Sequence, residues 1–159
     1  MQLSKHFKLE EFEKSQTAIR KGIKNKAGSG EINSLTDVCY NILEPVRAKF
    51  EKPVIITSGY RSPDLCEAIG SKPTSQHTKG EAVDFEIAGI SNLKVAMWIT
   101  NNCEFDQLIL EYWTGEPNSG WIHCSYADKS NRKQILTYDG KNYTNGLPDA
   151  KWSGGVLMN

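Results

Sequence analysis

Three histidines occur in the 159 residues, and two of them flank strand-like segments that aim other polar groups the same way. His77 precedes Asp84 by seven residues, and His123 lies inside Gly120-Trp121-Ile122-His123-Cys124-Ser125. Singly, each is weak, because a mid-strand histidine is usually a satisfied core residue. Together, two neutral imidazoles and one carboxylate form a three-donor set that suits one Zn²⁺ and leaves a fourth position for water or substrate. An open position implies catalysis rather than scaffolding. A hydrolase then needs a carboxylate outside the ligand set, to take a proton from a metal-activated water and pass it to the leaving amine. Glu111 is the candidate.

The period of two in a β-strand tests whether these groups share a face. Ala82, Asp84 and Glu86 alternate with Val83, Phe85 and Ile87; His123 alternates with Ile122 and Cys124; Glu111 alternates with Leu108, Leu110 and Tyr112. If the three strands are neighbours, Asp84, Glu111 and His123 converge on one side of a sheet. The segments 107–112 and 121–126, joined by the turn-rich TGEPNSG, are expected to form an antiparallel pair. A further hairpin is expected from 135–138 and 141–144 around Asp139-Gly140.

Around those strands the sequence predicts helices. Ser34 reads as a cap, with Asp37 three residues on, for a helix whose stripe is Leu35, Val38, Cys39, Ile42, Val46 and Phe50. Pro53 opens a short strand, Val54 to Thr57. Ser62-Pro63 reads as a cap and first helical residue of a two-turn helix stopped by Gly70, and 71–80 as a polar loop. A helix over 91–101 packs through Leu93, Val95 or Ala96, Trp98 and Ile99. Early helices and late strands give an α+β fold, with helices packed on a small antiparallel sheet. The chain is expected to be one domain over 1–159, with a Gly-rich tail poorly ordered from about 153.

Composition limits the function classes. Nineteen basic and nineteen acidic residues leave no net charge, hence no global field to recruit nucleic acid or an anionic membrane. Mean hydropathy is −0.50, and no apolar run approaches the ~20 residues of a membrane span. The opening MQLSKHFKLEEF is too charged for a secretory signal, which predicts synthesis in a cytoplasm. Cys39, Cys66, Cys103 and Cys124 lack C-x-x-C spacing and read as reduced core thiols. His6 reads as structural.

At this point the residues carry a resemblance. Ser58-Gly59-Tyr60-Arg61-Ser62, then Ser75-x-His77-x-x-Gly80-x-Ala82-x-Asp84, then Trp121-x-His123 with Ser125, resemble the M15 zinc peptidases, the D-Ala-D-Ala carboxypeptidase and phage endolysin group. LSKHFKLEEF, Leu43-Glu44-Pro45-Val46-Arg47 and Phe105-Asp106-Gln107-Leu108-Ile109 resemble its small, often phage-encoded branch. The middle motif recurs by chance on the order of once in a million start positions at average residue usage, so it carries most of the weight.

The resemblance implies the M15 fold, zinc ligands His77, Asp84 and His123, and a substrate among the peptidoglycan stem peptides. A monomer is expected. Arg61 matches the family arginine that contacts the scissile carbonyl, where a guanidinium offsets a developing oxyanion. Ser75 matches a site-lining serine; the competing reading is a serine capping its own turn. Tyr60 and Trp121 are candidates to line the substrate groove, against a core role for each. Many members carry a catalytic acid three residues before the last histidine, and here that position is Gly120, so the base comes from elsewhere or is missing. Glu111 fits best; Glu116 and Asp106 are weaker. The ligands suit a D-Ala-D-Ala carboxypeptidase or an L-Ala-D-Glu endopeptidase equally, and Gly120 leaves room for a non-catalytic, zinc-containing virion or wall-binding module.

Overall fold

A proline shapes the longest helical stretch. Two short helices, α1 (Leu9–Glu13) and α2 (Gln16–Lys21), precede it in the computed structural model, which describes residues 1–148, 151–153 and 156–158. The stretch then runs as α3 (Ser29–Val38), a π-helical turn (Cys39–Leu43) and α4 (Glu44–Phe50). Pro45 brings no N–H, and in a regular helix its ring presses on the carbonyl four residues back. The bond from the Glu44 N–H to the Cys39 carbonyl closes a wider turn just ahead of it. Leu35, Val38, Cys39, Ile42 and Val46 are fully buried, and Phe50 packs against the same core. The helix starts at Ser29 with Gly28 as cap, not at Ser34. Ser34 Oγ instead bonds back to the Gly30 carbonyl inside the helix, the other local bond a serine makes.

The rest of the chain alternates strands and helices: β1 (Ile55–Ser58), α5 (Pro63–Ile69), a 3-10 turn (Gln76–Lys79), β2 (Ala82–Glu86), α6 (Asn92–Asn102), β3 (Gln107–Glu111), β4 (Trp121–Ser125), β5 (Gln134–Tyr138) and β6 (Tyr143–Asn145). These six strands form one sheet in the order β1-β2-β4-β3-β5-β6. The fold is α+β, as expected, but the sheet is mixed, since β3 and β5 run parallel. β5 runs opposite to β4 yet pairs beyond β3, so the connection must pass the end of β3. Asp106 fastens it there: Oδ1 accepts from the Arg132 backbone N and Nε, both at 3.0 Å, and Oδ2 from the guanidinium at 2.9 Å.

The hairpin after β5 forms as predicted, except that Asp139 Oδ1 caps the turn by accepting from the N–H groups of Lys141 and Asn142, which delays β6 to Tyr143. Two last strands, β7 (Lys151–Ser153) and β8 (Val156–Met158), pair antiparallel. The expectation about tail order falls partly on residues 154, 155 and 159, outside the described residues.

One face of the sheet buries Val83, Phe85, Leu108, Leu110, Ile122 and Cys124 completely against the helices. The other face carries the polar residues. All four cysteines are free and buried, and burial pushes the Cys39 thiol up to about 12, so it stays protonated. No helix among the described residues is long and apolar enough to cross a membrane.

Candidate metal centre

His77 owes its position to the turn after β1. Its Nδ1 lies 2.7 Å from the Gly59 carbonyl oxygen; a carbonyl only accepts, so Nδ1 carries the proton and Nε2 is left as a lone-pair donor. Gly59 is there because nothing larger fits. A Cβ at that position would come within 2.7 Å of the Phe12 Cα, Cβ and carbonyl oxygen, where α1 crosses the turn. The backbone of His77 is held as well. Its carbonyl accepts from the Arg61 N–H at 3.1 Å, and its N–H donates to Ser75 Oγ at 3.2 Å.

Asp84 and His123 come from neighbouring strands and sit directly opposite each other. His123 Nδ1 is 3.0 Å and His77 Nε2 is 3.4 Å from the same oxygen, Asp84 Oδ1. One ligand atom from each of the three lies within 4.8 Å of the others. Two imidazole nitrogens converging on one carboxylate oxygen are the chemistry of a metal-holding group, and these residues fit a cation that takes nitrogen and oxygen donors. Electrostatics agree. Burial drives His77 down and keeps the ring neutral, the form that binds a metal. Burial alone would raise the Asp84 carboxyl, but the two imidazoles beside it, His123 and His77, outweigh that and hold the group well below the usual carboxylate range.

Arg61 and Glu111 flank this group. The Arg61 guanidinium lies 3.3 Å from Asp84 Oδ2, and its Nε donates to Ser58 Oγ at 3.1 Å. Glu111 Oε1 lies 3.7 Å from His123 Nδ1. Burial pushes the Glu111 carboxyl up, and the negative charge of Asp84 adds to the shift. The buried indole N–H of Trp121 makes no direct hydrogen bond, but it faces Glu111 and opposes part of that rise.

Gly120 explains its own identity. Its φ is +63°, and a Cβ there would sit 1.8 Å from the Glu111 carbonyl oxygen. No side chain is accommodated beside Glu111, and the carboxylate next to His123 comes from β3 instead. Gly120→Glu, which would put an acid three residues before His123, is expected to cost about 2 kcal/mol or more through backbone strain and collision. Chemical denaturation at neutral pH measures it, and a variant as stable as the parent would contradict the packing described.

The remaining sequence candidates stand outside the three-donor group. Ser75 caps the 3-10 turn, which is the local role that competed with a site-lining one. Tyr60 is 6% exposed and belongs to the core, so it has little surface to offer a substrate. Trp121 lies half-buried beside the centre, its ring against Tyr112 at 4.9 Å. Asp106 is buried and fastens Arg132, a structural use that removes it as a base. Glu116 lies in the exposed 112–120 loop. Ser125 is buried, its Oγ accepting from the Gln107 N–H at 3.0 Å. His6 pairs with Glu44 at 2.6 Å.

Sequence reasoning missed Asn25. Its amide donates to the carbonyls of Glu13 and Tyr60 and accepts the Ser62 N–H at 2.7 Å, so one buried side chain pins the turn that carries both Arg61 and the Gly59 carbonyl. A single asparagine in the loop KGIKNKAGSG gives no signal of this.

No curated protein sequence matches the chain. A sequence profile described as Peptidase M15, however, matches residues 5–125, a span that takes in every residue of the centre. On that match the chain belongs to the peptidase M15 family.

Proposed function

We propose that the protein is a zinc-dependent peptidase that hydrolyses peptidoglycan stem peptides in the manner of a D-Ala-D-Ala carboxypeptidase. The observation that carries this reading is the group His77, Asp84 and His123 with a carboxylate, Glu111, 3.7 Å from one of its members yet outside the set. His77, Asp84 and His123 would hold the ion. Zinc, when bound, supplies Lewis acidity toward a carbonyl oxygen and lowers the pKa of water.

The chain's own residues account for the rest. Glu111, raised by burial and by Asp84, is a stronger base than an ordinary glutamate; it takes the proton of the attacking water at its carboxylate and returns it to the leaving amine. Arg61 supplies positive charge beside the group, where it offsets negative charge developing on the scissile carbonyl. Gly59 and Ser75 orient His77. Gly120, which left room for a module without catalysis, has a packing cause, and Glu111 supplies the carboxylate that position lacks.

Purified stem peptides incubated with zinc-loaded protein and followed by mass spectrometry test the reading. Release of free D-Ala is expected. Cleavage between L-Ala and D-Glu would make the protein an endopeptidase of the same mechanism, and binding to walls without release of any amine would make it a module.

A further inference from the structure

The polar face of the sheet continues past Glu111. Glu111 lies opposite Trp121 on one side and Tyr138 on the other, and Tyr138 lies opposite Tyr143, so one row of side chains crosses β4, β3, β5 and β6 on the same face. Tyr112 enters this row out of turn. By strand alternation it belongs with Leu108 and Leu110 on the buried side, but its φ of 56° is left-handed, a strained conformation for a tyrosine. That twist brings its ring to 4.9 Å from Trp121 and to 5.3 Å, edge-on, from Tyr138. Tyr138 in turn stacks on Tyr143 at 4.4 Å. Such a cluster would ordinarily fill a core. Here Tyr112 and Tyr143 are 45% and 59% exposed.

We propose that this aromatic row is a subsite for the pyranose rings of a saccharide attached to the peptide being cut, an inference that rests on the peptidase reading. The row begins at Trp121, two residues from His123 on the same strand face, and crosses three inter-strand spacings, about 14 Å. A sugar lying along it would therefore belong to the molecule whose peptide reaches the metal centre.

The chemistry selects the occupant. A pyranose has a C–H face that suits the negative π-face of an aromatic ring, and a hydroxyl rim that suits phenols able to donate and accept. Three of the four rings are tyrosines. An aliphatic partner offers no hydrogen-bond complement to a phenol such as Tyr143, which is 59% exposed. The charges set against the row are also unsuited to a phosphate polymer: Glu111 acts on Tyr143 and Asp139 on Tyr138, with Lys141 alone in the turn between β5 and β6.

The test uses an N-acetylglucosamine trimer, a sugar without peptide, titrated into the whole protein by tryptophan fluorescence or amide NMR. Saturable binding is expected, with Tyr143→Ala weakening it about tenfold and Tyr143→Phe, which keeps the ring, within about threefold. In parallel, kcat/KM for a stem peptide carrying its disaccharide should exceed that for the bare peptide, and the ratio should fall toward one in Tyr143→Ala. Absence of saturable binding by the parent protein, or a binding constant and ratio both unmoved by Tyr143→Ala, overturns the proposal. Equal cleavage of both substrates without trimer binding removes the subsite and leaves the peptidase. Trimer binding lost in Tyr143→Ala, with neither substrate cleaved, upholds the subsite and removes the peptidase.

Discussion

Asp84→Ala is expected to abolish hydrolysis and to lower bound zinc from about one equivalent to none after dialysis. The carboxylate stands at the centre of the group: Oδ1 faces both imidazoles, and Oδ2 takes the Arg61 guanidinium at 3.3 Å. Without it, two nitrogens remain where three donors are needed. The same change also acts on the metal-free protein. Arg61, only 19% exposed at its side chain, would lose its charge partner, and uncompensated buried charge costs about 3 kcal/mol. A further ~4 kcal/mol of stabilisation, expected when free zinc stands a thousandfold above its dissociation constant, should be missing from the variant.

The pH dependence has a definite sign. Asp84 is held below its ordinary 3.8 in the folded protein; its contribution is therefore complete above that value and is lost as pH falls below it toward the depressed one. The metal-free parent should lose stability over that acid window, and Asp84→Ala should not show this component. Metal analysis and urea titrations at several pH values check both statements. A variant that keeps a full equivalent of zinc would place the site elsewhere.

How much of this was legible beforehand follows from which interactions are local. Strand parity is local, and it correctly set Asp84, His123 and Glu111 on one face, because Asp84 and His123 alternate with fully buried neighbours and Glu111 with the fully buried Leu108 and Leu110. The hairpin of β3 and β4 was legible for the same reason, its turn being marked by TGEPNSG. Parity fails where the backbone leaves the strand: Tyr112, assigned with Leu110, turns to the polar face because its φ is positive. The parallel pairing of β3 and β5 was hidden as well, since it depends on Asp106 gripping Arg132 across the end of the sheet. The tautomer of His77 depends on the carbonyl of Gly59, and that carbonyl depends on Phe12 and Asn25, residues far off in sequence and unremarkable in type. The donor types could be read from spacing; what aims them could not.

Glu111→Gln separates the chemistry from the metal. The substitution keeps size and removes the negative charge and with it the capacity to accept a proton, and Glu111 lies outside the three-donor group, so zinc content should stay at about one equivalent. The expected loss in kcat is between about 10² and 10⁴, the range for a positioned general base, with KM changed little. Instability cannot account for such a loss. Burial and the charge of Asp84 raise the Glu111 carboxyl above its ordinary 4.5, so its ionised form opposes folding at neutral pH, and an uncharged glutamine removes that opposition. The variant should be at least as stable as the parent at pH 7.

The pH profile gives a second, independent readout. The parent should lose activity as pH falls through a window above 4.5, where Glu111 takes up a proton, and the residual activity of Glu111→Gln should lack that limb. Should kcat instead stay within about twofold of the parent's, far less than a lost general base costs, the proton would have to leave by another route. Neither carboxylate considered as a substitute offers one: Asp106 is committed to Arg132 and Gln76, and Glu116 sits in the exposed loop. The metal centre would then stand without a general base from this chain.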